Sequence, residues 1–295
     1  MSIVNALIGF TIGDALGAPF EGWSGSRIRI SNINFSYYYK TNRGPKGSYT
    51  DDSEMMMLTI MCLLQHKYPS RNDFFSFYKN LDIKRGYGSN TKLRLQNKIA
   101  KNIFSNKISN GILMRMLPIA LIFRKNIIMR NWIIYQNALS TSHINELCLH
   151  SAQLYSDMIA LICENPQINI SEILSYLEDY KCISILKKKL KKIINSYNDN
   201  KLEYDIISWE FMYEVSNTIC YSIICFIRNF NNPSTALSDI ILQGGDTDTH
   251  ASIVGSLIGL RFGNVFSPTL IKKLENINTL NKIYNMFNQV QKLLN

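Results

Sequence analysis

Two short segments of this chain concentrate side chains that bind hard metal ions. Residues Thr50 to Ser53 read TDDS, and residues Gly244 to Thr249 read GGDTDT. Together they hold four aspartates and four hydroxyl side chains. Clustered carboxylates repel one another unless a cation compensates them, and ligand sets made only of oxygen suit Mg²⁺, Mn²⁺ or Ca²⁺ better than Zn²⁺. The two segments therefore predict a divalent-metal site built in two halves.

Both acidic segments stand where a helix is predicted to begin. TDDS opens the apolar run Met55 to Leu64, and GGDTDT opens the run His250 to Phe262. Ser, Thr and Asp are preferred N-cap residues, and the positive end of the helix dipole stabilises an ionised carboxylate there. One such cluster is as easily a simple cap and turn; two clusters with DD and DxD spacing favour metal ligands.

Small residues recur at every fourth position next to these segments. One set is Gly9, Gly13 and Gly17; the other is Ala251, Gly255, Gly259 and Gly263. Glycine inside a helix costs about 1 kcal/mol relative to alanine, so each stripe predicts a close approach of two helix backbones. The spacing does not say which helix meets which. Membrane helices use the same spacing, but we expect neither apolar stretch to be long enough to span a membrane.

Length and composition favour one mostly helical domain over residues 1–295. The 295 residues are 46% hydrophobic and include only seven prolines. No Gly/Ser-rich or Pro-rich linker separates the two halves of the metal site, which must meet. Apolar residues recur at helical spacing in several further segments, which are Ile112 to Ile122, Ile170 to Leu177 and Ile219 to Ile227. The region Gln167 to Lys201 carries the fewest motifs, and we expect it to lie away from the cleft.

Five segments of the chain resemble the ADP-ribosylglycohydrolase family, which includes ADP-ribosyl-protein hydrolases and the jellyfish-type crystallins. They follow the family's order and approximate spacing: GFTIGDALGAPFE (Gly9 to Glu21), GPKGSYTDDSEM (Gly44 to Met55), SNGILMRMLP (Ser109 to Pro118), SH (Ser142 and His143) and GGDTDTHASIVGSLIG (Gly244 to Gly259). The resemblance implies a compact all-α fold with a binuclear Mg²⁺ centre, where Mn²⁺ is also possible, in a cleft that binds ADP-ribose.

The same resemblance implies roles for individual residues. The metal ligands would be Thr50, Asp51, Asp52, Asp246, Asp248 and Thr249. The substrate-binding residues would be Ser109, Asn110, Gly111, Met114, Arg115 and His143. Glu21 ends the first motif and would guard or assist the metal site. Three positions depart from the family pattern: Ser53 and Ser142 each keep a hydroxyl where threonine is usual, and His250 follows the metal triplet, where we expect it to be packed or at the surface.

These residue types suit the cleavage of a glycosidic bond at C1 of ribose. That reaction passes through an oxocarbenium-like state, which nearby carboxylates stabilise, and one carboxylate can activate water. We take Glu21, Asp51 and Asp52 as the candidate catalytic residues without choosing between them. The expected activity is metal-dependent release of ADP-ribose from a protein side chain or a small ADP-ribose derivative, with the linkage unspecified. The alternative is a non-catalytic ADP-ribose-binding or crystallin-like structural protein with the same fold.

Charge and cysteine content bear on partners and location. The net charge of +10 includes one basic segment, made of Lys187, Lys188, Lys189, Lys191 and Lys192. We interpret it as a solvated helix face, and expect no nucleic-acid partner except as an ADP-ribosylated substrate; the positive charge can also steer an anionic substrate. The six cysteines show no CxxC spacing and are expected to be free thiols. With no evident signal peptide, we expect a cytoplasmic, monomeric protein that does not enter membranes.

Overall fold

The fold is built from α-helices throughout the described part of the chain. The computed structural model describes residues 3–79, 81, 83–88, 91–92, 108–141, 143–207 and 213–294. Within these ranges the only β-pairing consists of isolated bridges. The α-helices are α1 (Ile3–Gly17), α2 (Gly25–Ile30), α3 (Asp51–Gln65), α4 (Arg71–Tyr78), α5 (Met116–Ile122), α6 (Ile127–Thr141), α7 (Glu146–Glu164), α8 (Ile170–Asp179), α9 (Ser184–Asn198), α10 (Val215–Arg228), α11 (Ala236–Ile241), α12 (Thr247–Phe262), α13 (Pro268–Lys273) and α14 (Ile277–Leu294). The predicted all-α fold class is confirmed.

Helices α1 and α12 form the central pair, and the two stripes of small residues face each other across it. A Cβ atom added at Gly13 would lie 2.1 Å from the carbonyl oxygen of Ala251, and one added at Gly255 would lie 2.1 Å from that of Gly9. At Gly17 the nearest atom would be the carbonyl oxygen of Thr247, at 2.3 Å. The two helices therefore run antiparallel in backbone contact, which confirms the predicted close approach and identifies the partners.

Helix α1 is more apolar than the sequence analysis expected. Residues Ile3–Phe20 are long and apolar enough to cross a membrane by length and composition alone, with a mean hydropathy of 1.4. However, 78% of this stretch is buried inside the protein. Its apolar side chains pack all round the helix because α1 is surrounded by neighbours, which is the pattern of a central core helix.

The end of α1 holds the start of α3. Asp14 lies in the last turn of α1, and its carboxylate accepts hydrogen bonds from the backbone N–H groups of Thr50 (2.9 Å) and Ser53 (2.9 Å). Thr50 is the N-cap of α3, and its side chain accepts from the N–H of Asp52. Three of the free N–H groups at this helix start are thereby satisfied. The predicted helix start is confirmed, and it is fixed to α1.

The predicted helix over Ile112 to Ile122 begins differently. The chain forms a 3-10 helix over Asn110–Arg115 and only then the α-helix α5. Ser109, just before it, pairs with Glu214 in an isolated bridge, and the N–H of Asn110 donates to the carbonyl of Tyr213 at 3.1 Å. These bonds bring the segment before α10 against the segment before α5, on one side of the cleft.

Candidate metal centre and substrate cleft

Three helix ends bring six carboxylates together. Asp14 lies in the last turn of α1, and Glu21 follows that helix. Asp51 and Asp52 begin α3, whereas Asp246 precedes α12 and Asp248 lies in its first turn. The antiparallel contact between α1 and α12 brings the acidic ends of these two helices together. Two groups of three acids each place one carboxylate oxygen per residue within 4.8 Å of the others. The inner set is Asp14, Asp52 and Asp248, and the outer set is Glu21, Asp246 and Asp248. Asp248 belongs to both sets.

Asp52 is a buried ligand candidate that joins the two acidic segments. It is 2% exposed, and its Oδ2 accepts from the hydroxyls of Thr50 (3.3 Å) and Thr249 (3.2 Å), one from each acidic segment. Its Oδ1 is buried and has no hydrogen-bond partner among the described residues. A buried carboxylate oxygen without a partner is costly, and a bound cation would satisfy it. This atom is the clearest local sign that the donor set fits a metal ion.

Burial and mutual repulsion raise the pKa values of five acids at this site. Desolvation, followed by the charge of Asp248, raises the pKa of Asp14 to about 6 and that of Glu21 to about 7. The same two causes raise the pKa values of Asp51, Asp52 and Asp246 well above the ordinary range for aspartate. Without a compensating cation the cluster holds protons, and a metal ion that binds there would displace them.

Asn110 connects the segment of residues 109–115 to the acidic centre. Its side-chain amide donates to the Oδ2 of Asp246 and to the hydroxyl of Thr218, the latter at 3.0 Å. Both the amide and the carboxylate are buried. The wall of the cleft and its acidic floor are therefore joined by a direct hydrogen bond.

A chain of hydrogen bonds fixes His143 at the cleft wall. The buried guanidinium of Arg115 donates to the hydroxyl of Thr141, which lies 3.0 Å from Nδ1 of His143. Because the Thr141 hydroxyl already accepts from Arg115, we assign its proton to the bond with Nδ1, which makes Nε2 the protonated nitrogen. Nε2 lies 3.2 Å from the hydroxyl of Ser109 and beside Gly111, where it can donate.

The cleft has a volume of about 450 Å³, which is in the range of small-molecule sites. Its lining includes all but one of the predicted site residues; Thr50 lies just behind it and reaches the centre through Asp52. Ser142 lies outside the described residues. The full lining is Glu21, Asp51, Asp52, Met55, Gly86, Tyr87, Gly88, Thr91, Ser109, Asn110, Gly111, Met114, Arg115, Thr141, His143, Tyr213, Asp246, Asp248 and Thr249.

Several residues at this site were missed by sequence reasoning. Asp14 lies within the first motif, and a lone acid in an apolar helix was a usable signal. Arg43 pairs with Glu21 and with Asp248 but stands between motifs, so no pattern marked it. Tyr87, whose hydroxyl donates to Glu54 at 2.6 Å, and Tyr213 add aromatic surface to the cleft.

His250 and the basic segment of residues 187–192 lie outside the cleft lining and contact other parts of the protein. His250 is 3% exposed, its ring centre lies 5.6 Å from that of Tyr221, and burial lowers its pKa to about 4. In the basic segment, Lys189 binds the Glu214 carboxylate at 2.7 Å and also contacts Ser216 and Asn217. Lys187 and Lys192 donate to backbone carbonyls.

Comparison with known proteins agrees with this architecture. A protein of Acanthamoeba polyphaga mimivirus, provisionally named an ADP-ribosyl glycohydrolase, is 24% identical to this chain over 95% of it and 93% of its own length. A functionally unassigned protein of Archaeoglobus fulgidus is 24% identical over 87% of this chain and 86% of its own. A solved structure described as an ADP-ribosylglycohydrolase-related protein complex shares the fold, with a TM-score of 0.79 at 17% identity, over 98% of this chain and 97% of that one.

An all-α fold with an oxygen-rich centre at the floor of a cleft defines a recognisable class of proteins. The pattern of the ADP-ribosylglycohydrolase family matches residues 2–293, and the chain belongs to that family. The resemblance drawn from the five motifs is thereby confirmed, together with the fold it implied.

Proposed function

We propose that this protein is a Mg²⁺-dependent hydrolase that cleaves the glycosidic bond between ADP-ribose and an acceptor, releasing ADP-ribose. The acceptor is a protein side chain or a small ADP-ribose derivative. The observation that carries the proposal is the meeting of the inner and outer carboxylate sets at the floor of the cleft, each within 4.8 Å, in a chain of this family.

The donor chemistry supports two divalent ions. Six carboxylates meet here, and the ion pairs described for them all come from one cation, Arg43. Two ions of charge +2 would compensate most of the remaining negative charge, and the ligands are all oxygens, which Mg²⁺ and Mn²⁺ prefer. The inner and outer sets would each hold one ion, with Asp248 shared between them. When bound, such ions orient ribose hydroxyls and increase the acidity of water.

Glu21 is the residue best suited to exchange a proton during hydrolysis. Its side chain is 23% exposed, whereas that of Asp248 is 3% exposed. A carboxyl group whose pKa is raised to about 7 changes protonation state near neutral pH, which suits a general acid or base. Asp51, at the cleft wall, is the second candidate. Both lie where carboxylates would stabilise positive charge that develops at C1 of ribose.

The cleft wall offers matching contacts for the rest of the substrate. His143 presents Nε2 as a donor beside Ser109 and Gly111, suited to a ribose or phosphate oxygen. Tyr213, whose relative exposure is 46%, supplies aromatic surface on which a base can stack. The net positive charge of the chain favours the approach of an anionic nucleotide. The six free cysteines fit a reducing compartment, and we propose a cytoplasmic protein on that ground.

The test is release of free ADP-ribose from arginine-linked, serine-linked and O-acetyl substrates, each with Mg²⁺ and with EDTA. We expect metal-dependent release from at least one of them. The double variant Asp246→Asn, Asp248→Asn should lose the activity by roughly a hundredfold or more, because it removes ligand charge from both sets. A matched control is Asp199→Asn, Asp205→Asn, which removes the same charge from exposed positions.

The outcomes separate the two classes of protein. Metal-dependent release that is lost in the cleft variant and kept in the control supports the hydrolase and identifies its linkage. ADP-ribose binding without release from any substrate would instead support the non-catalytic, crystallin-like alternative.

A further inference from the structure

Arg43 spans the outer carboxylate set. One end of its guanidinium, Nη2, binds the carboxylate of Glu21, and Nη1 lies 3.2 Å from Oδ2 of Asp248. Glu21 and Asp248 are two of the three members of that set, with Asp246 as the third. The guanidinium therefore binds two of the three carboxylates that a divalent ion would use there.

The surroundings are shaped to hold this side chain. Gly86 packs against it: a Cβ atom at Gly86 would lie 2.5 Å from Cζ and 2.6 Å from Nη1 of Arg43. At the base of the side chain, the backbone N–H of Arg43 donates to the hydroxyl of Thr41 at 3.0 Å, inside a turn closed by the bond from Thr41 to Gly44. The Arg43 side chain is 18% exposed. The contact with the acids is therefore built into the fold rather than left to a free surface side chain.

The inner set is less compensated than the outer set, because Asp248 is its one member with a described ion pair. Within the described part of the chain, neither Asp14 nor Asp52 takes part in an ion pair, and Oδ1 of Asp52 has no hydrogen-bond partner. Two neighbouring carboxylate sets thus differ in charge before any metal binds. Arg43 binds two members of the outer set, Glu21 and Asp248, but reaches the inner set through the shared Asp248 alone.

We propose that Arg43 is an internal competitor for the ion at the outer set. A divalent ion binds tightly at the inner set, and a second binds more weakly at the outer set, where it must displace the guanidinium from Glu21 and Asp248. This inference rests on the metal dependence in the proposed function and adds a difference in affinity between the two ions. A hollow of about 500 Å³, lined by Lys40, Asn42 and Arg43 itself, lies beside the guanidinium and can receive it.

The consequence is a second site that fills only when divalent metal is abundant or when substrate oxygens add to its ligands. The guanidinium holds the Glu21 side chain in place at low metal concentration, because Nη2 binds its carboxylate. The proton-exchanging group is then released only as the second ion arrives.

The experiment is a calorimetric titration of EDTA-stripped protein with Mn²⁺, with the bound ion counted by electron paramagnetic resonance. We expect the wild type to show one tight and one weaker ion. In Arg43→Gln the weaker affinity should rise by about tenfold or more, since a unit positive charge is removed from within a few ångströms of the ion. The tighter affinity should change much less.

Two further variants make the comparison specific. Lys46→Gln removes the same charge from an exposed position in the same loop and should change neither affinity by more than about twofold, as expected for a screened surface charge. Arg43→Lys keeps the charge but cannot bridge two carboxylates as a planar fork, so its effect should lie between wild type and Arg43→Gln. It also serves if Arg43→Gln folds poorly.

An unchanged weaker affinity in both Arg43 variants, with Mn²⁺ still bound, would overturn the competition and leave the proposed hydrolase intact. Two equal affinities in the wild type would overturn it as well. If Mn²⁺ does not bind to the wild type at all, the metal-dependent function falls together with this inference. These three results are distinguishable in the same set of titrations.

Discussion

Identical side chains at this site perform different tasks, and their hydrogen bonds decide which. Asp14 accepts two backbone N–H groups of α3, so its oxygens are partly committed to holding that helix start. Asp52 accepts two hydroxyls on one oxygen and leaves the other without a partner. Asp14 is therefore a fixed anchor on the edge of the centre, and Asp52 is the carboxylate with an oxygen directly available to an ion.

The orientation of His143 depends on Thr141, and this can be tested without any metal. Thr141→Val keeps the shape of the side chain but removes the hydroxyl between Arg115 and Nδ1 of His143. We expect the ¹⁵N chemical shifts of His143 to lose the signature of an Nε2-protonated ring, because its Nδ1 acceptor bond is gone. Affinity for ADP-ribose should fall by about three- to tenfold, which corresponds to one lost hydrogen bond.

A matched control is Thr11→Val. Thr11 is also buried and hydrogen-bonded, to the hydroxyl of Tyr284 at 2.7 Å, but lies outside the cleft lining. The Thr11→Val variant loses one buried hydrogen bond, as Thr141→Val does, so its free energy of unfolding should fall by about 1 kcal/mol. The ¹⁵N signals of His143 should not change in Thr11→Val. An Nε2-protonated signature that survives in Thr141→Val would show that the proton is set by another contact.

The sequence allowed many residues of the site to be predicted, but not which of them contact one another. The acids of TDDS and GGDTDT could be named because carboxylates at such density have few other uses. Arg43 could not, since a single arginine in a polar loop is ordinary and its partners Glu21 and Asp248 are distant in sequence. Asp14 was visible as an acid in an apolar segment, but its role as the cap of α3 depends on which helices meet.

At the scale of helices, the α1–α12 pair is the element that assembles the centre. Backbone contact at Gly13 and Gly255 leaves no room for side chains between the two axes, so the acidic end of α1 is held directly beside the acidic start of α12. A wider separation would move Asp14 away from Asp248 and open the inner set. The cost of glycine within both helices is thus balanced by the geometry of the site.

Gly13→Ala tests this arrangement. In an isolated helix the change would stabilise by about 1 kcal/mol, because alanine has the higher helix propensity. Here the new Cβ would lie 2.1 Å from the carbonyl oxygen of Ala251, a backbone atom that cannot turn aside. We expect the free energy of unfolding, from urea titration, to fall by roughly 2 kcal/mol or more as the helices separate, and metal affinity at the inner set to fall with it.

The control for this change is Gly88→Ala. Gly88 is exposed, and an added Cβ there would meet no atom within 4 Å, so stability should change by less than about 0.5 kcal/mol. A stable Gly13→Ala protein with undiminished metal affinity would mean that the helix pair can relax without disturbing the acids.

The helix N-termini and the presence of close helix–helix contacts were predictable from the sequence, whereas the identity of the helices in contact was not. Thr50 and the GGDTDT segment carried local capping signals, and local signals are read from short windows. The small-residue stripes indicated two close contacts but were equally compatible with each other or with a third helix. The 3-10 helix at Asn110–Arg115 was missed because its start is set by the bond from Asn110 to Tyr213, about 100 residues away in sequence.

At the scale of the whole molecule, charge is divided between surface and centre. The chain carries a net charge of +10, yet five carboxylates line the floor of one cleft with Asp14 close to them, and the ion pairs described for this cluster come from Arg43. An excess of positive charge outside favours the arrival of an anionic nucleotide, and the acidic floor favours cations. The molecule is therefore suited to bring an anion and metal ions to the same place, where either alone would be poorly held.

This division gives the metal-free protein an unusual dependence of stability on pH. The pKa of Asp14 is raised from 3.8 to about 6 and that of Glu21 from 4.5 to about 7. Between the unfolded and folded values the native state holds protons that the unfolded chain has lost, so stability falls as pH rises. In EDTA we expect the free energy of unfolding to fall from pH 5 to pH 8, by roughly 1 to 1.5 kcal/mol from Asp14 alone, because part of its proton linkage lies below pH 5.

Metal should reverse this trend, because ions bind the deprotonated carboxylates and compete with protons. With saturating Mn²⁺ the gain in stability over the EDTA sample should increase from pH 5 to pH 8. Asp14→Asn should flatten the slope in EDTA, since it removes the titrating group while leaving an oxygen to accept from Thr50 or Ser53. If the metal-free wild type instead becomes more stable toward pH 8, the buried acids are compensated by something other than protons, and the centre would not need a divalent ion to be stable at neutral pH.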